Sequence, residues 1–194
     1  MDNRTVKLLA GDINWVHSLI YGNTKGLTEE ELFKEPANTA PSIGWHVWHI
    51  MRWADMFQAS FLGRSEIWKA QNLVSDFELD PSKLGPLQMG MELNNEEACA
   101  IPKAIGKTRL MDYTKSVIDA CKQATSDLKD EDLYHSRKTI YKLDTSTKPA
   151  TETEGEDVMT INDFLFHIGH ASRHLGMIEA LIGAVFSRSG TATI

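Results

Sequence analysis

The sequence predicts an all-α protein, a four-helix bundle with long crossover connections. Three observations carry that prediction. Four segments repeat apolar residues near the helical period, strand-like alternation is scarce, and glycine or proline punctuates the segment ends. The chain of 194 residues is long enough to bury one substantial core. A single domain is expected over 1–187, with a frayed tail over 188–194.

The first long helix is expected over about 6–21, where Leu9, Ile13, Val16 and Ile20 recur and Gly22-Asn23 ends the run. A short helix follows over 28–34, because Thr28 and Glu31 have capping-box spacing and Pro36 stops it. The second long helix is expected over 41–62, with Pro41 in its first turn and Gly63 at its exit. Its stripe is Ile43, Val47, Ile50, Ala54, Phe57 and Phe61. Residues 63–106 are broken by Pro81, Pro86, Pro102, Gly85, Gly90 and Gly106 and read as an ordered crossover, with a short helix near 66–71. The third long helix covers about 108–128. Residues 134–143 alternate weakly, as a short extended piece would, and 141–157 read as an exposed loop that could be mobile. The last helix runs over 161–186, opened by Thr160 and Asp163 at capping-box spacing, with the stripe Ile161, Leu165, Ile168, Ala171, Leu175, Ile178, Ile182 and Val185.

Charge and composition exclude several functions. The 27 acidic residues outnumber 20 basic ones, for a net charge of -7, which disfavours a nucleic-acid surface. No window has the length and apolarity of a membrane span, and the first residues lack a secretory signal, so a cytoplasmic location is expected. The two cysteines, Cys99 and Cys121, do not suggest a disulfide framework; a loop thiol and a core thiol are expected.

Histidine is the informative residue. Five of the 7 histidines fall in two clusters, His46 and His49 on one helix, and His167, His170 and His174 on another. Positions three, four and seven apart share a helix face. In both helices each histidine sits one residue before a member of the core stripe, which puts both rows beside the bundle interior. Neutral imidazole suits zinc, nickel, copper or ferrous iron. An i, i+4 pair such as His170 and His174 can place two nitrogens on one ion, and a third ligand from a facing helix leaves coordination positions open. The competing reading is a buried polar network of hydrogen-bonded core histidines. His17 lies beside the stripe of the first helix and is expected in the core, although it could reach the site. Trp45, Trp48 and Trp53 are expected to pack, with one of them able to wall a pocket. Asp55 and Glu179 are expected to be solvated or to support the site from behind. Arg52 and Arg173 are expected on the surface, where they could pair with acids at the bundle mouth or bind an anionic substrate.

The segments Gly26-Leu-Thr-Glu-Glu-Glu-Leu, Pro41-Ser-Ile-Gly-Trp-His-Val-Trp-His-Ile and His167-Ile-Gly-His-Ala-Ser-Arg-His-Leu-Gly-Met-Ile-Glu-Ala-Leu resemble the DinB/YfiT-like superfamily in order and spacing, outside the crossover. The resemblance implies a four-helix bundle, often homodimeric, with a metal held by one histidine of the second long helix and a His-x-x-x-His pair of the last. Carried over, the metal ligands are His49, His170 and His174, with zinc or nickel the expected ion. His46 and His167 are additional to that pattern and are the alternative ligands. Some relatives are thiol-dependent transferases or isomerases, which implies a metal-dependent S-transferase acting on a small molecule with a low-molecular-weight thiol. A metal-dependent hydrolase and a non-enzymatic, metal-stabilised binding protein are the alternatives; no catalytic residue is assigned.

Overall fold

The computed structural model describes residues 3–37, 39–138 and 142–186. In chain order its α-helices are α1 (Arg4–Thr24), α2 (Glu29–Phe33), α3 (Ile43–Leu62), α4 (Ile67–Ala70), α5 (Leu73–Asp76), α6 (Asn95–Ile105), α7 (Lys107–Ser126) and α8 (Thr160–Phe186). The all-α class expected from the periodicity is the observed one. The four long helices, α1, α3, α7 and α8, surround the main core: α1 and α3 each pack on both α7 and α8. Ile13 and Ile20, Val47 and Ile50, Leu110 and Val117, and Phe164 and Ile178 meet there, all buried. No helix among the described residues is long and apolar enough to cross a membrane.

Local chemistry explains the boundaries. The Thr28 hydroxyl accepts from the Glu31 amide while Glu31 accepts from the Thr28 amide, which closes the expected capping box on α2. The start of α3 differs from expectation: Ser42 is its N-cap and accepts from the Trp45 amide, so Pro41 lies outside the helix. Gly63 ends α3 in the left-handed conformation. At α8 the expected capping box does not form. The Thr160 hydroxyl donates to the His135 carbonyl, and Asp163 pairs with Arg137 instead. The α8 stripe is borne out at Ala171, Leu175, Ile178 and Ile182, which are buried, and differs in its first turns. Leu165 is 54% exposed, whereas Phe164, His167, Ala171, His174, Ile178 and Ile182 are buried. Two histidines thus face inward.

The crossover is more helical than its glycines and prolines suggest. The helix α6 passes through Pro102, a residue that costs an interior helix about 3 kcal/mol. Burial of Ala98, Cys99, Ile101 and Ile105 and a capping box between Asn94 and Glu97 offset that cost. Cys99 is therefore a buried helical residue, not a loop thiol. The expected mobile loop, 141–157, contains one short antiparallel pair and is flanked by a second, whose first strand falls in the weakly alternating 134–143. Strand β1 (Ser136–Lys138) pairs with β4 (Asp157–Met159), and β2 (Lys142–Asp144) pairs with β3 (Thr151–Thr153). Residues 139–141 and the expected tail, 188–194, lie outside the described residues.

Arg52 and Asp55 are not surface groups. Both are fully buried. Arg52 donates to Glu66 at 2.7 Å and to Asp55 at 3.3 Å. Asp55 also accepts from the Tyr113 hydroxyl and from the backbone amides of Ile67 and Trp68. A charge taken from water is tolerated only with such complete pairing. The network ties α3 to α4 and α7 and consumes the acids nearest to it. A further Arg52 bond, from Nε to the Gln88 carbonyl at 3.2 Å, fastens the crossover to α3.

Candidate metal centre

The same stretch of crossover selects the chemistry of His49. Residues 85–92 turn tightly, with left-handed backbone at Gly85, Leu87, Gln88, Gly90 and Glu92. Gly90 at φ 75° leaves no room for a side chain: a Cβ there would lie 2.6 Å from the Trp48 ring and 2.8 Å from Nε1 of Trp45. This close approach brings the Met89 carbonyl to Nδ1 of His49 at 2.5 Å. A carbonyl only accepts, so Nδ1 carries the proton and Nε2 keeps its lone pair. Trp45 fixes the ring plane by stacking on it, with centroids 4.6 Å apart and an interplanar angle of 13°.

The α8 pair faces His49. One ligating atom from each of His49, His170 and His174 lies within 4.8 Å of the others. Nε2 of His174 is 3.1 Å from Nε2 of His170, and Nδ1 of His174 is 2.9 Å from Nδ1 of His46. Two proton arrangements compete; the first puts a hydrogen in both contacts, and the second needs a cation beside the facing Nε2 atoms of His170 and His174. In one, a proton sits between the two Nε2 atoms. In the other, Nδ1–H of His174 donates to His46, and Nε2 of His49, His170 and His174 all present lone pairs to one point. The second is the tautomer set a divalent ion requires, with His46 orienting a ligand from behind. Nδ1 of His170 is buried without a partner in either arrangement, so His170 is the least firmly oriented of the three.

Electrostatics agree with a donor set held neutral. Burial lowers the pKa of His46, His49 and His170 to about 4, and that of His174 to about 2. For His174 that value includes the effect of neighbouring imidazoles and Arg173, which act in the same direction as burial. Neutral imidazole is the form that binds metal. Three neutral, convergent nitrogens with one tautomer fixed by a carbonyl fit an ion such as Zn²⁺ or Ni²⁺. A cavity of about 550 Å³ lies against His49 and His170, walled by Trp53, Phe166, Met91 and Arg173. Three protein ligands beside such a cavity leave room for a small molecule at the ion.

The remaining histidines of the two rows have other partners. Nε2 of His167 meets Nε2 of His17 at 2.9 Å, and Phe57 stacks on His167 with centroids 4.7 Å apart. Neither histidine joins the group of three. Burial lowers His17 to about 4 and holds His167 well below its usual value. Cys121 is a core thiol pushed far up by burial. Glu179 accepts from Asn23 at 3.1 Å. Arg173 is the one expected surface cation that lines the cavity. The sequence reading missed the Met89 carbonyl; the closely spaced Gly85 and Gly90 were the only hint of a backbone forced against α3.

The model of the DinB superfamily matches residues 15–178. The chain belongs to the DinB superfamily. No functionally curated protein is significantly similar in sequence. A crystal structure described as the conserved protein of locus from Enterococcus faecalis superposes with a TM-score of 0.70 at 20% identity, covering 95% of this chain and 98% of that one. The likeness is one of fold. For this DinB-superfamily protein the His49–His170–His174 group is the candidate metal centre.

Proposed function

We propose that this DinB-superfamily protein binds a divalent metal ion, zinc or nickel, through Nε2 of His49, His170 and His174 and acts as a thiol-dependent S-transferase on a small molecule. The observation that carries the reading is the convergence of three neutral imidazoles, within 4.8 Å, beside a cavity. The bound ion would hold the thiol cofactor's sulfur as thiolate at neutral pH. The chain's own residues then have distinct roles. His49, His170 and His174 bind, the Met89 carbonyl and His46 fix tautomers, and Trp45 and Trp53 limit water around the rings.

One feature favours sulfur transfer over hydrolysis. A metal hydrolase needs a base to take a proton from the attacking water. Among the described residues, no carboxylate joins the three histidines or lines the cavity shared by His49 and His170, and Glu92, in a second cavity against His49, accepts from the Ala150 amide. Asp55 and Glu66 are bound to Arg52.

The test is metal analysis of untagged protein, followed by a conjugation assay with bacillithiol, mycothiol and glutathione against an electrophile panel. Metal at one ion per chain and thiol-dependent product formation that a chelator abolishes are expected. Chelator-sensitive ester or amide hydrolysis without thiol would replace this reading with the hydrolase. Metal that raises only the melting temperature, with neither activity, would replace it with the non-enzymatic binding protein.

A further inference from the structure

The walls of the metal-facing cavity continue into a second one. Trp53 and Phe166 line both the cavity against His49 and His170 and a neighbouring pocket of about 330 Å³. That pocket lies where α3 and α8 meet β4, with Met56, Phe57 and Val158 among its walls. The rings are in contact: Trp53 and Phe166 have centroids 5.8 Å apart, and Trp53 lies 5.3 Å from His170. A molecule whose reactive end lies at the triad therefore meets a continuous apolar surface leading away from it.

Charge is distributed unevenly along this path. In the pocket under β4, Arg137 and Asp163 form an ion pair with each other, and His167 is held neutral by burial. The other charged group lining it, Glu156, is an anion. Nothing there favours an acid group of a ligand. At the opposite end stands Arg173, exposed, on the turn between His170 and His174. It lines the metal-facing cavity and is close enough to depress the pKa of His49, His170 and His174. Among the described residues, Arg173 makes neither a hydrogen bond nor an ion pair. The guanidinium fork suits a planar carboxylate.

From this polarity we infer that the substrate is an amphipathic organic acid. Its carboxylate is read by Arg173 beside the triad, and its uncharged apolar body crosses the Trp53–Phe166 wall into the pocket under β4. This rests on the metal reading for the chemistry at the triad, but recognition of the acid by Arg173 does not require the ion. Arg173 is thereby a specificity-determining residue.

The test uses para-butylbenzoate as the probe, titrated by calorimetry into zinc-loaded and metal-stripped protein. Para-butylbenzamide serves as the neutral isostere, benzoate as the acid without the apolar tail, and succinate as the acid without an apolar body. Para-butylbenzoate should bind about tenfold more tightly than its amide, the scale of one charge-assisted contact. Arg173→Gln should bring that ratio to about one, and Arg173→Lys should restore part of it. Met56→Trp should remove the advantage of para-butylbenzoate over benzoate without weakening benzoate itself. Equal binding of acid and amide overturns the proposal. So do an undiminished acid preference in Arg173→Gln, succinate binding as tightly as para-butylbenzoate, or no binding by any probe. Metal content, measured separately by emission spectroscopy, decides the metal reading. Protein without metal that keeps the Arg173-dependent preference upholds this inference and removes the metal centre; metal-loaded protein without the preference does the reverse.

Discussion

One helix supplies histidines to two environments that differ in what completes them. On α8, His170 and His174 look across to His49 beside a cavity, while His167, one turn earlier, turns to His17 in the core. Both groups are neutral, and burial lowers both. The difference lies in proton accounting. The His17–His167 pair satisfies itself with one shared hydrogen between two Nε2 atoms and leaves Nδ1 of His17 buried without a partner. Two of the triad's three rings have outside partners, the Met89 carbonyl for His49 and His46 for His174, that can hold their protons away from the point of convergence, while Nδ1 of His170 has none. A histidine cluster is disposed to bind metal when something behind it takes the protons, not merely when its rings are close.

The largest expected effect breaks the comparison on the triad side. His170→Ala should abolish stoichiometric metal retention, whereas His17→Gln should keep it; emission spectroscopy on untagged protein reads both. His46→Gln should fall between, weakening metal affinity about 10–100-fold as loss of an orienting partner does. Metal loss in His17→Gln equal to that in His170→Ala would merge the two groups into one site.

The next effect acts on the sealed pair. The pKa of His17 is near 6.5 unfolded and about 4 folded, so the unfolded chain binds the extra proton between those values. Stability contributed by the neutral ring is present above pH 6.5 and is lost as pH falls toward 4. Acidification from pH 7 to pH 5 should cost about 2 kcal/mol through His17 alone. Denaturant midpoints at the two pH values, compared with those of His17→Phe, should show a shallower dependence in the variant; an unchanged slope would refute the assignment. Of similar size, Gly90→Ala should destabilise by about 2 kcal/mol, because a side chain at a left-handed position must also displace Trp48 and Trp45. It should weaken metal binding too, since the Met89 carbonyl moves with its neighbour. The smallest effect belongs to the seventh histidine. The His135 side chain is 72% exposed and 3.7 Å from Asp132, so His135→Ala should change stability by less than about 0.5 kcal/mol and leave metal content untouched.

Much of this molecule was legible in its sequence because helical period and histidine spacing are local properties. The three-, four- and seven-residue spacing was enough to put His170 and His174 on one face, and the structure brings His49 to them. What depended on distant contacts was not legible. Arg52 and Asp55, three residues apart, look like an ordinary surface pair until Glu66 and Tyr113 arrive from other elements to bury them. The start of the α8 stripe was read at Leu165 instead of Phe164 because the two are equally apolar, and only packing against Phe57 and Phe61 shows which of them is inside. Pro102 read as a break although Asn94 and Glu97 carried a start signal, because burial of the surrounding apolar face is not visible locally. The tautomer of His49 was least legible of all, since it is set by a backbone oxygen 40 residues away.

That oxygen gives the crossover a part in metal capture. His49 sits on a helix that forms locally, but its lone pair is committed only after residues 85–92 have wrapped onto α3, with Arg52 holding the Gln88 carbonyl one residue before Met89. A partly folded chain, with α3 and α8 already paired but the crossover undocked, has three imidazoles in reach and no control over which nitrogen of His49 is protonated. Competence to capture an ion therefore depends on the docked crossover as well as on the two helices that carry the histidines.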